Sequence, residues 1–186
     1  MATTSPVRTG SVLLAEPFMM DQNFKRSTVL LVDHSPEGSV GFIMNRRMDL
    51  AINELVDDFP AFDAPVYFGG PVGSDTIHYL HRKGDLLEGS DEIVRGVYWG
   101  GQYEQLKFLV GSGLIQPRDI RFFVGYSGWS EDQLQEEIEL GSWVTAGMDA
   151  NYLFNSEPGE LWSQVMANKG KNFTVIADMK EESNYN

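Results

Sequence analysis

The stretch FFVGYSGWSEDQLQEEIELGSW, residues 122–143, sets the terms for the whole chain. Ile120–Val124 is an apolar run and reads as a strand. Gly125 and Gly128 free the backbone for a turn, with Tyr126 and Trp129 able to pack beneath it. Ser130 and Gln133 have the S-x-x-Q spacing of a capping box, so a helix is expected over Glu131–Leu140. Glu131 and Asp132 place negative charge at its positive end. Leu134 and Ile138 form a narrow apolar stripe, and Gly141 suits a left-handed stop. Glu136 and Glu139 fall outside the stripe. Glu137 lies close to it in angle, which marks it for more than solvation.

Working outward, Ser11–Ala15 and Thr28–Asp33 read as strands, the second apolar enough to be buried on both faces. Glu16–Phe24 reads as a loop or a single helical turn. HSPEGS makes a turn into a strand at Val40–Met44, which predicts a hairpin. Asp49 is placed to cap a short helix through Ala51–Val56. Strands are expected at Val66–Phe68, Thr76–His81, within Ile93–Trp99 and at Trp143–Ala146. Helices are expected at Gln102–Val110 and Glu160–Asn168, and a last strand at Phe173–Ala177. Strands come first and helices mix in later. This is no regular βα alternation, so it predicts an α+β fold with a mixed sheet. No repeat or linker divides residues 1–186, which points to one domain with flexible ends at 1–9 and 179–186.

A chain of 186 residues buries about 70% of its unfolded surface and needs no staple. It has no cysteine, which excludes disulfides, thiolate metal sites and a Cys nucleophile. MATTSPVRTG lacks the apolar stretch of a signal peptide, and no apolar run is long enough to span a bilayer, so a cytoplasmic protein without membrane contact is expected. Lys and Arg total 14 against 27 Asp and Glu, a net charge of −13. DNA affinity rests on cations that neutralise phosphates, so direct nucleic-acid binding is disfavoured.

Several constellations invite a chemical reading. Ser27, His34 and Asp21 or Asp33 have the residue types of a hydrolase triad, but Ser27 opens a strand and lacks the G-x-S-x-G turn. His78 and His81 have a helical chelating interval, yet on an alternating strand they point to opposite faces. FGGPVGSD, residues 68–75, resembles a phosphate cradle but lacks the Lys-Ser/Thr of a P-loop. It reads better as a tight turn at Gly69, Gly70 and Pro71. Asp21, Arg26, His34, Asn45 and Arg46 sit in loops or at strand ends, where binding residues concentrate. In the bland reading Arg26 pairs with Asp21, and Asn45 with Arg46 closes a turn. The candidate ligand-binding set is therefore Asp21, Arg26, His34, Asn45, Arg46, Gly69, Gly70, Tyr126, Trp129 and Glu137. No catalytic set, metal or cofactor is implied.

The segments GSVLLAEPFMMDQNFKRSTVLLVDHSPEGSVGFIMNR, VYFGGPV, LHR and GYSGW, followed by QLQEEI and SW, resemble the AlgH/YqgE family of bacterial proteins. The matches are ordered and spread from residue 10 to about 162. The family usually has Pro where this chain has Arg47, and Gly where it has Asp132. The resemblance implies an α+β domain whose mixed sheet is bifurcated and strongly bent, like a partial barrel, with a few short helices. It also implies a bacterial cytoplasmic protein. Members are labelled transcriptional regulators on genetic grounds, with no enzyme activity or cofactor established for the family. The expectation is a non-enzymatic regulatory or binding protein that acts through a protein or small-molecule partner. The alternative is a small-ligand-binding protein or enzyme using the strand-end cluster.

Overall fold

The computed structural model describes residues 6–179. Its centre is β9 (Ile120–Ser130), an 11-residue strand that runs straight through the predicted Gly-aromatic turn. Along one edge β9 pairs antiparallel with β6 (Val72–His81). Its other edge serves two strands in succession. β5 (Pro65–Phe68) pairs parallel with Phe122–Val124, and β3 (Gly38–Ile43) pairs antiparallel with Ser127–Ser130. The sheet therefore forks at Gly125, where φ is 68°.

The fork needs a close crossing. A Cβ on Gly125 would stand 2.5 Å from the Gly70 carbonyl oxygen, and one on Gly70 would stand 2.2 Å from the Tyr126 carbonyl. Gly69 bridges both branches, its amide donating to Val124 and its carbonyl accepting from Ile43. The glycines of both motifs thus serve one feature, the passage of two backbones over each other. β9 stays extended through Gly125, and the extra residues of the irregular pairing between Val72 and Ile77 lie on β6, so no turn forms in β9.

One branch continues from β3 to β2 (Thr28–Ser35), β1 (Val12–Ala15) and β10 (Trp143–Ala146). The β2–β3 hairpin turns at Pro36-Glu37, tighter than the six-residue turn expected. The other branch runs through β6 to β8 (Val97–Trp99) and β7 (Asp91–Val94), with β4 (Arg47–Ala51) added beside β5. All pairings except β5–β9 are antiparallel, and the sheet is not closed into a barrel.

Side chains alternate across β1 and β2 as strand geometry requires. Val12, Leu14, Leu30 and Val32 join one core with α4 (Ala150–Phe154), α5 (Pro158–Asn168) and α6 (Lys171–Ala177). Leu13, Ala15, Val29 and Leu31 join another beneath α3 (Gln133–Glu139). Burial on both faces explains the continuous apolar run in β2. A third core lies under α1 (Ile52–Leu55) and α2 (Tyr103–Gly111). Arg121 ties α4 to β9 by donating to the Phe154 carbonyl at 2.9 Å.

Three local expectations change. Phe173–Ala177 is helical, because it packs on α5 instead of a strand edge. Phe173, Ile176 and Ala177 then face inward at helical spacing and leave Val175 74% exposed. Asp49 lies within β4, where the pairing with β5 shifts register between Met48 and Ala51, and the Glu54 carboxylate instead accepts from the Ala51 amide at 2.6 Å. The S-x-x-Q box forms only by half. Gln133 accepts from the Ser130 amide at 3.0 Å and from the Ser130 hydroxyl at 3.3 Å, while the helix starts after Asp132, whose φ is a left-handed 63°. The resemblance places a glycine at this position, and Asp is among the few residues that tolerate a left-handed backbone. Within residues 6–9, Thr9 accepts from the His34 amide and Val7 packs against the α3 core. Residues 1–5 and 180–186 of the expected flexible ends lie outside the described residues.

Gly125→Ala is expected to destabilise the protein by about 3 kcal/mol, combining left-handed strain with a backbone clash. Gly111→Ala, with nothing within 4 Å of the new Cβ, should be neutral or slightly stabilising. Equal urea midpoints for the two variants would refute the crossing as a constraint. His81 is fully buried, its Nδ1 accepting from the Lys83 amide and its Nε2 facing the Gly100 carbonyl at 2.8 Å, which fits the neutral Nε2–H tautomer. Burial pushes its pKa below the ordinary 6.5. The unfolded chain therefore takes up the proton first, and stability falls as pH drops below 6.5, by at most about 1.4 kcal/mol per unit from this group. His81→Gln should flatten the stability slope between pH 7 and 5, whatever its absolute stability.

Candidate functional site

The predicted set divides. Arg26, Asn45 and Arg46 are taken up by structure. Asn45 accepts from the Thr28 amide and donates to the Arg26 carbonyl, both at 2.9 Å. Arg46 donates to the Lys25 carbonyl. Arg26 does not pair with Asp21. Its guanidinium lies 4.1 Å from the Trp162 ring centroid and donates to the Met179 carbonyl at 2.9 Å. These residues hold the segment entering β2 and bind it to the C-terminal helices.

His34 stands apart from them. Its Nδ1 is 2.6 Å from the Ser39 hydroxyl across the hairpin, in a shallow pocket of about 300 Å3 with Ser130 and Gln135. Ser27 is fully buried at the other end of β2, roughly 20 Å of strand away, so no triad assembles. Gly69 and Gly70 form the backbone crossing, not an anion cradle. Tyr126 contacts His78 edge-on at 5.8 Å, on the opposite face of β9 from Trp129. His78 and His81 likewise belong to opposite faces of β6, against Phe42 and Tyr98 respectively.

Asp21, Trp129 and Glu137 do converge. They line one pocket of about 300 Å3 together with Met19, Phe24 and Trp143. Two indoles meet edge to face at 5.8 Å, and Phe24 stands edge-on to Trp143 at 5.6 Å. Both indole N–H groups donate to the same Glu137 oxygen, at 2.8 Å from Trp129 and 2.9 Å from Trp143. Gln133 donates to the other oxygen at 3.2 Å. Glu137 is thus the pin that fastens α3 to β9 and β10. The helical angle singled out Glu137, but nothing local showed that Trp143 and Phe24 would complete the site. They arrive through the β1–β10 pairing and the loop before β2.

The loop from Glu16 to Arg26 forms the pocket's rim. It is tied to the end of α3 by the Glu16 amide donating to the Ser142 carbonyl at 2.9 Å. Asp21 caps its own turn, accepting from the Asn23 amide at 2.9 Å, and stays exposed. On these two connected segments Phe18, Met20 and Leu140 are 71%, 87% and 82% exposed. Three open apolar side chains thus lie on the segments that carry Met19, Asp21 and Ser142 of the pocket. The arrangement suits a cation, which aromatic faces and carboxylates attract together.

Glu137→Ala should lower stability by about 3 kcal/mol, since it strands two buried indole donors. Glu137→Gln, which keeps an acceptor, should lose only about 1 kcal/mol. Urea unfolding followed by tryptophan emission tests this, and an Ala variant as stable as the parent would remove the pin.

The profile of the AlgH-like family matches residues 12–174. A UPF0301 protein of Chlorobium luteolum is 43% identical over 172 residues, covering 92% of this chain and 91% of that protein. A UPF0301 protein of Chlorobaculum tepidum is 41% identical over 175 residues, covering 94% of each. The solution structure of the AlgH protein from Pseudomonas aeruginosa superposes with a TM-score of 0.75 at 28% identity, covering 98% of this chain and 100% of that one. The crystal structure of protein DIP2367 from Corynebacterium diphtheriae shares the fold, with a TM-score of 0.78 at 20% identity over 94% of each chain. With the forked sheet and these matches together, the chain belongs to the AlgH-like family.

Proposed function

We propose that the protein is a cytoplasmic, non-enzymatic binding protein whose partner is another protein. The observation that carries this reading is the aromatic and acidic pocket bordered by exposed Phe18, Met20 and Leu140. A cationic side chain of the partner enters between Asp21 and the Trp129–Trp143 pair, and apolar residues around it cover the rim. The dispersal of Arg26, His34 and Asn45 into separate hydrogen bonds supports binding over catalysis. Any effect on transcription then runs through the partner, because the net charge of −13 opposes a DNA backbone.

The pocket is tested with N-acetylarginine amide as probe, observed at the indole N–H resonances of Trp129 and Trp143. Both should shift on titration. Asp21→Asn should weaken the response about two- to fivefold, the range expected of an exposed ionic contact. Unmoved indole signals sink the pocket, and turnover in a broad hydrolase panel that disappears in His34→Ala sinks the non-enzymatic reading.

A further inference from the structure

Among the described residues β10 pairs only with β1, β7 only with β8 and β4 only with β5, so β10 and β7 are two of the sheet's three free edges. The bend of the sheet brings the two edges round to a common seam. Thr145 and Ala146 of β10, and Ile93 and Val94 of β7, line one cavity of about 680 Å3. At one point the seam is shut. A Cβ on Gly10 would fall 2.3 Å from Val94 Cγ1, so the segment leading into β1 presses directly on β7.

The charge of this cavity runs against that of the protein. Asp and Glu outnumber Lys and Arg by 27 to 14 in the chain, yet among the described residues Arg8, Arg95 and Lys169 line the seam and no carboxylate does. The three come from separate segments: the lead into β1, the β7–β8 turn and the end of α5. No ion pair among the described residues engages any of them. Lys169 is half-buried, donates to the Thr145 carbonyl and stands 5.2 Å from the Phe173 ring centroid. Burial lowers its pKa.

We propose that the seam cavity binds a phosphorylated small molecule, with the phosphate taken by Arg8, Arg95 and Lys169 and the body lying against Ile93, Val94 and Met148. Guanidinium groups match phosphate oxygens two at a time, which two arginines and a lysine turn into a selective site. The volume suits a ligand of nucleotide size. An acidic peptide strand added to the sheet edge is the competing occupant. It fits less well, because Lys169 already holds the Thr145 acceptor on β10 and the Gly10–Val94 contact interrupts the seam. This site is distinct from the tryptophan pocket, and its failure leaves that reading intact.

The test is an amide NMR titration of the full chain with inorganic pyrophosphate, adenosine monophosphate and hexaglutamate in separate arms. Pyrophosphate and adenosine monophosphate should shift Gly10, Arg95 and Gly147, and the nucleotide should also move the Met148 methyl. Arg8→Gln/Arg95→Gln should weaken the response by at least about tenfold, the loss expected for charge-assisted hydrogen bonds. Lys169→Met should weaken it as well, while Arg118→Gln, an exposed arginine outside the cavity, should leave it unchanged. The proposal is overturned if neither phosphate probe moves the seam amides at millimolar concentration. It is equally overturned if the Arg8/Arg95 variant responds like the parent, or if hexaglutamate alone shifts these signals.

Discussion

Everything in this fold hangs on the passage of the Gly69-Gly70 backbone across Gly125-Tyr126. Two chains approach there more closely than any side chain permits. Because they do, one strand can present the same edge first to β5 and then to β3. The fork lets a single sheet bury three cores, each under its own helices. It also bends the sheet until its outer strands face each other without joining. The open seam follows from the fork, as do the three separately covered surfaces.

Polar side chains do two kinds of work around this frame. Asn45 and Arg46 satisfy backbone groups in the segment entering β2, and Arg26 reaches from that segment to the Met179 carbonyl. A buried donor or acceptor without a partner costs about 1–3 kcal/mol, so such clamps are expected wherever the chain leaves regular pairing. Glu137 does similar work for the two indoles at the wall of a pocket. The two cavities then carry opposite charge. The tryptophan pocket holds Asp21 and Glu137, whereas the seam holds Arg8, Arg95 and Lys169.

Much of the architecture was legible in the residues. Strand and helix periodicity located β1, β2, β3, β5, α2 and α5 closely, because burial on a given face imposes a repeat that local sequence records. The family motifs extended that to a bent, forked α+β sheet. The misreadings share one cause. Gly125 looked like a turn, Asp49 like a cap and Phe173–Ala177 like a strand, because each was judged by local chemistry alone. A glycine with positive φ serves a turn or a bulge equally well. An Asp before a helix caps it only if the preceding residues are not claimed by a neighbouring strand. An apolar segment becomes a strand only where an edge is free to receive it.

By itself, then, the sequence determined the fold class, the absence of thiol chemistry, the acidic charge and the singular position of Glu137. Those follow from composition and from periodicities of a few residues. Only the tertiary structure decided that Glu137 clasps both Trp129 and Trp143, that Arg26 turns away from Asp21 to Trp162, and that Arg8, Arg95 and Lys169 gather at one seam. These groups lie far apart along the chain. What brings them together is the curvature of a sheet forked at Gly125, and that curvature arises from pairings between strands distant in sequence, which no local periodicity encodes.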